Sequence, residues 1–282
     1  MLRLTWMIPM SVLLACGRSE PPAPSPSGNA RAWAARGSSA AGSATGSAPA
    51  SVADVLTDLQ RMCDGGDGEK CRTLGLLYSQ GKGVAVDAVR ASGLFQKACT
   101  SKNLAACNQW GLALAEGVGV GKDTAQAQVV MRTACDAGYA IACRNLGLMF
   151  RDGKLGAADG KQAAEMLAKG CDLKAPFACT NLGDLLFTSL DDKEQVKLGI
   201  TAYQLGCNGA EASACRQLGL AYRDGRGLPK GTAAATVWLR KACEGSDAQG
   251  CQAMALVEPA NAAQHNAKAC KLGALAACSA QK

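Results

Sequence analysis

Pairs of cysteines separated by seven residues recur along the chain at a fixed interval, and this spacing constrains the fold more than any other feature of the sequence. Both the first and the second members of the pairs advance by 36 residues, until the last pair arrives nine residues early. The seven pairs are Cys63 with Cys71, Cys99 with Cys107, Cys135 with Cys143, Cys171 with Cys179, Cys207 with Cys215, Cys243 with Cys251, and Cys270 with Cys278. A fixed period of this length indicates a protein built from stacked structural repeats.

The composition favours short, closely packed helices over a bulky globular core. Hydrophobic residues make up 48% of the chain, whereas aromatic residues make up only 4%. We therefore predict an all-α fold, an α-solenoid of about six 36-residue helix-turn-helix repeats that forms one monomeric domain. The formal net charge is +7, but basic and acidic residues are interspersed in the repeats. Such dispersed charge gives little support for a nucleic-acid partner.

The cysteine content favours disulfides over metal sites. The chain has 15 cysteines in 282 residues and one histidine, His265. Structural zinc sites use cysteines two to four residues apart and often histidine, a pattern that this spacing does not fit. We therefore expect disulfides, which form in an oxidising compartment, and we expect no metal and no cofactor.

Two cysteines eight residues apart cannot be bridged within one helix. They would lie about 12 Å apart along its axis, whereas a disulfide requires Cα atoms roughly 4.4 to 6.8 Å apart. If each pair is bridged, as we infer, the chain must reverse between its members. The first cysteine then ends the second helix of one repeat (helix B), and the second cysteine lies near the start of the first helix of the next repeat (helix A). Each bridge would staple one corner.

Helix A has a regular apolar pattern. Counted from the second cysteine of a pair, an apolar residue follows at plus three, glycine at plus four and a larger apolar residue at plus seven, as in Leu146, Gly147 and Phe150. These positions share one helical face with the cysteine, so they predict a buried stripe in which glycine permits close approach of a neighbouring helix. A Gly-x-Gly sequence then ends helix A with positive φ. Residues 188–193 replace this turn in the fourth unit, and the shortened last unit is typical of a cap.

The N-terminal residues predict export. Residues 1–15 have one positive charge, at Arg3, followed by a mostly apolar run, which is typical of a secretory leader. The sequence Leu-Leu-Ala-Cys that ends at Cys16 resembles the lipobox of bacterial lipoproteins, in which that cysteine carries the lipid; the alternative is an ordinary leader. Residues 16–50, rich in Pro, Ser, Gly and Ala, predict a flexible tether. Residues 51–282 would form the repeat domain.

The repeat sequence resembles a known family. The pattern Ala-Cys-x-x-Leu-Gly-x-x-Tyr-x-x-Gly-x-Gly, with Lys-Ala-Cys at Cys99 and Cys243, is similar to Sel1-like repeats and, with the cysteine pairs, to the secreted cysteine-rich Sel1-like repeat proteins of bacteria. The resemblance implies an α-solenoid with one disulfide per repeat that acts as a binding scaffold. Some relatives are described as penicillin-binding with weak β-lactamase activity. Together with the lipobox-like sequence at Cys16, the resemblance implies a bacterial envelope protein. We expect it to contact a membrane, the outer membrane, only through the lipid on Cys16.

A polar stripe on helix A is the candidate binding site. It comprises the two positions that follow the second cysteine of each pair, which we call the A face. Its candidate residues are Arg72, Asn108, Arg144, Asn145, Asn181, Arg216 and Gln217. Stacked repeats would align these amides and guanidinium groups, and we expect them to bind an envelope protein, a peptide or a cell-wall fragment. The alternatives are a solvated helix face and a purely structural lipoprotein.

An enzymatic role has weaker support in the sequence. A serine β-lactamase needs Ser-x-x-Lys together with Ser-Asp-Asn and Lys-Thr-Gly elements. Ser79 and Lys82 match the first pattern, but they straddle the glycine that ends a helix, and the other two elements are missing from the sequence. His265 has no obvious nucleophile beside it. We therefore assign no catalytic residue and keep a β-lactamase-like hydrolase as the alternative function.

Overall fold

The computed structural model describes residues 51–188 and 192–279, and this part of the chain is helical without a β-strand. The chain divides into two units, Met1–Val55 and Leu56–Lys282. The helices are α1 (Val52–Asp64), α2 (Gly68–Gln80), α3 (Ala88–Thr100), α4 (Leu104–Glu116), α5 (Thr124–Asp136), α6 (Ala140–Arg151), α7 (Gly160–Asp172), α8 (Pro176–Leu186), α9 (Lys193–Asn208), α10 (Ala212–Asp224), α11 (Thr232–Glu244), α12 (Ala248–Val257), α13 (Ala262–Lys271) and α14 (Leu275–Ser279). A 3₁₀ turn, Pro259–Asn261, precedes α13.

The helices pack in sequence order as antiparallel pairs. From α2 to α12, each even-numbered helix is a helix A and packs most extensively on the helix B that follows it, while consecutive pairs are joined through their neighbouring helices. Successive helices A also touch directly, as α4 touches α6 and α6 touches α8. The predicted fold class, an all-α solenoid of helix-turn-helix repeats stapled by disulfides, is therefore confirmed.

The apolar stripe of helix A forms the core. In the third repeat, Leu146 and Gly147 are fully buried or nearly so, and Phe150 is 5% exposed. The glycine at plus four lies against helix B of the same repeat in each of the first five units. The contacts are Gly75 with Phe95, Gly111 with Met131, Gly147 with Leu167, Gly183 with Tyr203 and Gly219 with Leu239. The glycine therefore has a packing role that outweighs its helix-propensity cost of about 1 kcal/mol.

A disulfide closes each corner between a helix B and the helix A that follows. The predicted pairs are bonded in the structure: Cys63 with Cys71, Cys99 with Cys107, Cys135 with Cys143, Cys171 with Cys179, Cys207 with Cys215, Cys243 with Cys251, and Cys270 with Cys278. The Cα–Cα distances range from 4.4 Å in the sixth pair to 4.8 Å in the seventh. Every corner therefore joins two helices whose ends are adjacent in the chain.

A left-handed residue turns the chain at every corner. The third residue after the first cysteine of each pair has positive φ, but it is glycine in only three of the seven corners. Those three are Gly66, Gly138 and Gly273, and the other four are Lys102, Lys174, Ala210 and Ser246. Because a residue with a Cβ disfavours this conformation by about 1 kcal/mol, four corners are held in a locally unfavourable backbone by the surrounding contacts.

The Gly-x-Gly turns behave as the sequence predicted. Gly81, Gly117 and Gly225 cap helices α2, α4 and α10 in the left-handed conformation. The second glycine of each turn also has positive φ, as at Gly119 (φ 70°). Gly119 also contacts the preceding helix B. Its carbonyl oxygen accepts a hydrogen bond of 2.7 Å from the hydroxyl of Ser92 in α3.

The fourth and last units depart from the pattern. In the fourth, α8 ends at Leu186 without a glycine turn, and α9 begins at Lys193 and extends for 16 residues. In the last, α12 and α13 have 10 residues each, and the short helix α14 follows them. Val196 and Ile200 of α9 share a core with Leu218 of the following repeat.

Candidate binding face

The A face follows directly from the position of the second cysteine. This cysteine is the fourth residue of α2, α4, α6, α8, α10 and α12, and it points into the core, with Cys143 fully buried. The next two residues lie at the edge of the buried stripe and are mostly half-buried. The face therefore lies in the second turn of each helix A, next to the disulfide that joins the start of that helix to the preceding helix B.

Carboxamide side chains occupy the second position of the A face in four consecutive repeats. They are Gln109 in α4, Asn145 in α6, Asn181 in α8 and Gln217 in α10, and all four are half-buried. A carboxamide offers both hydrogen-bond donors and an acceptor. Because these helices A follow one another in the stack, the structure aligns the four amides in one series.

Hydrogen bonds connect part of this face across the repeats. The Nδ2 of Asn145 donates to Oδ1 of Asn108 at 3.0 Å, and Nε of Arg144 donates to Oδ1 of Asn181 at 2.9 Å. A longer bond of 3.4 Å runs from Nη1 of Arg144 to Oδ1 of Asn145. Helices α4, α6 and α8 are thereby joined by one polar network. Four of the candidate residues thus contact one another across these helices, and the binding role of the face stays a prediction.

Two positions of the face differ from the expectation of a solvent-facing stripe. Asn108 is only 5% exposed and Thr180 only 6%. The oxygen of Asn108 accepts the bond from Asn145, and the hydroxyl of Thr180 donates to the carbonyl of Pro176 at 3.1 Å. Small polar side chains at the first position can thus turn inward and find partners within the stack. Asn108 therefore helps to order the face and does not offer its side chain to a ligand.

The arginines at either end of the face form ion pairs. Arg72 pairs with Glu69 on its own helix, and this hydrogen bond holds the pKa of Glu69 below its ordinary value. Arg216 pairs with Asp247, at the start of the next helix A, at 3.1 Å. Both guanidinium groups therefore already have a carboxylate partner.

Asp184 and Tyr203 form hydrogen bonds beside the A face, and the sequence analysis did not predict them. Asp184 accepts a 2.9 Å hydrogen bond from the Tyr203 hydroxyl and a weaker one of 3.5 Å from Nε2 of Gln217. Burial, together with the negative charge of Asp184, raises the pKa of Tyr203 well above its ordinary value. Asp184 lies five residues after Cys179, at a position where the neighbouring repeats have an apolar residue. This exception to the apolar pattern could have identified Asp184 from the sequence.

Two exposed apolar side chains also border the face. Ile141 in α6 is 49% exposed and Phe177 in α8 is 59% exposed. Each lies two residues before the second cysteine of its pair, so they occupy the same position in consecutive repeats. The guanidinium group of Arg144 lies over the Phe177 ring, 5.8 Å from its centroid. The position two residues before the second cysteine can be read from the repeat pattern. The sequence analysis nevertheless assigned only the two residues after that cysteine to the A face.

The residues considered for catalysis are arranged differently from a hydrolase site. Ser79 lies in the last turn of α2, and its hydroxyl donates to the backbone carbonyl of Leu76 at 3.0 Å. His265 contacts Glu258 at 3.0 Å, and Glu258 also pairs with Arg240 at 2.7 Å. The hydrogen bond with His265 is the main cause that lowers the pKa of Glu258. These contacts give the hydrolase alternative no support.

The remaining site predictions concern metal and lipid. Within residues 51–188 and 192–279, no group of three or more His, Cys, Asp or Glu side chains could hold a metal ion. The same part of the chain has no helix that is both long and apolar enough to cross a membrane. Cys16, the predicted lipidation site, and the predicted leader and tether lie outside the described residues.

The fold and its corner disulfides place the chain among helical repeat proteins, whose stacked pairs present one continuous surface. The Sel1 repeat model matches residues 71–103, 104–139, 140–174 and 212–247. The chain is a cysteine-rich Sel1-like repeat protein. The unmatched stretch between the third and fourth segments contains α8 and α9, which pack in the same order as the matched pairs despite the altered turn.

Two solved structures share this fold. A Sel1 repeat protein from Oxalobacter formigenes has a TM-score of 0.63 and 23% identity, over 78% of this chain and 94% of its own. The protein c5321, a protective antigen present in uropathogenic Escherichia coli strains, has a TM-score of 0.65 and 22% identity, over 77% of this chain and 49% of its own. The chain therefore spans about half the length of c5321. A comparison with curated proteins gives no match.

These likenesses establish the fold. The Sel1 repeat fold is commonly a protein-interaction scaffold, because the stacked helices present side chains from several repeats on one surface. Seven disulfides are in turn typical of proteins in an oxidising, extracytoplasmic compartment.

Proposed function

We propose that this protein is a lipid-anchored scaffold of the bacterial envelope that binds a protein or peptide on its A face. The observation that supports this function most directly is the series of four half-buried carboxamides on consecutive helices A, from Gln109 to Gln217. Arg144 and the exposed side chains of Ile141 and Phe177 border this series, and arginine and aromatic residues are enriched in protein interfaces.

The chemistry of the carboxamides suits a polypeptide backbone. Each peptide unit has one N–H donor and one C=O acceptor, and a side-chain amide can bind both. Packed helices lie about 8 to 10 Å apart, and three residues of a polyproline II segment span about 9 Å and complete one turn. A segment of this conformation that crosses the helices A would therefore present an equivalent backbone group to each repeat, largely independent of its sequence.

Substitution of two of these amides tests the binding function. We expect Gln109→Ala with Gln217→Ala to lower the recovery of an envelope partner about tenfold, since each lost hydrogen bond contributes about 0.5 to 1.5 kcal/mol. The measurement is a crosslinking pull-down from intact cells, quantified by mass spectrometry. Gln109 has no hydrogen-bond partner among the described residues, and the bond from Gln217 to Asp184 is long, so the fold should persist.

The matched control is Gln96→Ala with Gln126→Ala, which removes two exposed glutamine side chains from helices B. We expect this variant to recover the partner as well as the unmodified protein does. Equal losses in both variants, or the failure of any protein to be captured saturably, would exclude the A face as the binding surface.

The anchor is the second part of the proposal. It is supported by the lipobox-like sequence that ends at Cys16, and the disulfides agree with an exported protein. We expect Cys16→Ala to remove the acyl chains and to move most of the protein from the membrane fraction to the soluble fraction of the envelope, because lipid chains are what hold such a protein to the bilayer. Cell fractionation with labelling by a fatty-acid analogue measures both effects. Ser19→Ala is the control, and unchanged membrane retention of Cys16→Ala would disprove the anchor.

A further inference from the structure

Arg144 differs from the other two arginines that occupy its position in the repeat. Arg72 has Glu69 as an ion-pair partner and Arg216 has Asp247. Among the described residues, no carboxylate oxygen lies within 4.0 Å of the Arg144 guanidinium group. The centre of the A face therefore has a half-buried positive charge without a neutralising partner in that part of the chain.

The repeat register explains this difference. Glu69 lies two residues before its cysteine, and Ile141 occupies that position before Cys143. Asp247 is the residue that precedes the next helix A, and the equivalent residue after Arg144 is Ala175. Both positions that supply an acid elsewhere are thus apolar at this point of the stack.

The guanidinium group is nevertheless held in a fixed orientation. Nε donates to Asn181 at 2.9 Å, Nη1 donates to Asn145 at 3.4 Å, and the group lies over the Phe177 ring. Within the described part of the chain, Nη2 has no hydrogen-bond acceptor. The group is therefore preorganised to donate to a further oxygen beside the exposed Phe177 ring, and the exposed Ile141 lies three residues before Arg144 on the same helix.

We propose that Arg144 binds a carboxylate of the partner peptide, next to an apolar residue of that peptide that packs on Ile141 and Phe177. The guanidinium fork matches a carboxylate geometrically, and such charge-assisted hydrogen bonds are stronger than neutral ones. The positive charge of Arg144, which has no carboxylate partner among the described residues, also favours an acidic group on the partner. This inference rests on the proposed peptide-binding function and adds the chemistry of the peptide. The carboxylate belongs either to the C-terminus or to an Asp or Glu side chain.

Three pools of randomised hexapeptides, labelled at the N-terminus with a dansyl group that has no carboxylate, separate these sources. One pool lacks Asp and Glu and has a free C-terminus, the second lacks Asp and Glu and is amidated, and the third includes Asp and Glu and is amidated. Each pool is passed over the immobilised full-length protein, and the retained peptides are quantified. We expect retention of at least one carboxylate-bearing pool to exceed that of the second pool about tenfold. Retention of the first pool identifies a chain end, and retention of the third identifies an acidic side chain.

Two substitutions test the role of Arg144. We expect Arg144→Gln to remove the preference for carboxylate. Ala175→Asp supplies the acid that Arg216 has in Asp247, so it should also remove the preference while it stabilises α8, whose first turn has no side-chain cap. If Ala175→Asp raises the thermal unfolding midpoint and also abolishes retention of the peptides, the loss of binding is not caused by unfolding.

Arg132→Gln is the matched control. Arg132 lies on a helix B, contacts Gln162 and lies over the Phe150 ring at 5.9 Å, but it has Glu165 at 3.9 Å. This variant loses the same charge and should retain the peptides normally. Equal retention of amidated neutral and carboxylate-bearing pools, or retention unchanged by Ala175→Asp, overturns the carboxylate site. If the envelope partner is still captured and is lost with the Gln109 and Gln217 substitutions, the proposed function stands without it.

Discussion

Removal of the central disulfide, by Cys135→Ala with Cys143→Ala, is expected to lower the free energy of unfolding by about 2 to 3 kcal/mol. The bond joins residues that are 8 apart in sequence, and both cysteines are fully buried. Its loss frees the unfolded chain at this corner and also leaves space in the core between α5 and α6. Urea unfolding followed by far-ultraviolet circular dichroism measures the change.

The terminal pair provides the control for position. Cys270→Ala with Cys278→Ala removes the same number of cysteines, but both are only half-buried, and this bond fixes only the five-residue helix α14. We expect a smaller effect on the main unfolding transition, because repeats contact chiefly their neighbours. An equal loss of unfolding free energy in both variants would contradict the expectation that each disulfide stabilises mainly its own repeat and the neighbouring repeats.

Reduction of all seven disulfides extends the same expectation. Even if the contributions of the seven disulfides are not fully additive, their summed loss would reach or exceed the free energy of unfolding of a typical protein, about 5 to 15 kcal/mol. The reduced and alkylated protein should therefore lose most of its helical signal at room temperature. Retention of the native spectrum would show that helix packing alone holds the stack together.

The substitution Gly183→Ala is expected to lower the free energy of unfolding by about 3 kcal/mol, at the upper end for an overpacked core. A Cβ at this position would lie 2.5 Å from two ring carbons of Tyr203. That ring is 2% exposed, packs edge-on against Phe187 with centroids 5.7 Å apart, and is tied to Asp184 through its hydroxyl. The ring cannot move without loss of these contacts. Chemical denaturation of the oxidised protein measures the effect.

Gly93→Ala is the matched control for this prediction. Gly93 lies inside α3, is exposed, and has no heavy atom of another group within 4 Å of the position that a Cβ would occupy. The same substitution should here raise the free energy of unfolding by about 0.5 to 1 kcal/mol, because alanine is the better helix former. Opposite signs at the two sites would separate close packing from helix propensity, and equal signs would refute the packing role of Gly183.

Most of the fold followed from the spacing of the cysteines. The distance between two residues eight apart in a helix forced a reversal at each pair, and the apolar pattern then identified the buried side of helix A. The corner residue was different, because Lys174 and Ala210 adopt the left-handed conformation without the glycine that usually signals it. The surrounding helix ends and the disulfide impose that backbone, and these are tertiary constraints that local preference does not reveal.

The candidate site was predictable as a surface but not as a set of contacts. The register showed that Arg144, Asn145 and Asn181 would lie on one side of the stack. It did not show that the Arg144 bond reaches the second position of the next repeat, nor that Asn108 turns inward. Such pairings depend on rotamers and on offsets of a few ångströms between helices, and these are fixed only when the repeats are packed.

The disulfide pattern has a consequence for the order in which the protein can acquire its structure. Between Cys63 and Cys278, each cysteine is bonded to its nearest cysteine along the chain in the native pair, eight residues away. A chain that enters an oxidising compartment from its N-terminal end would expose the two members of a pair together, before the next pair arrives. Each corner could then be oxidised in turn, so that native pairing would need no exchange between distant thiols.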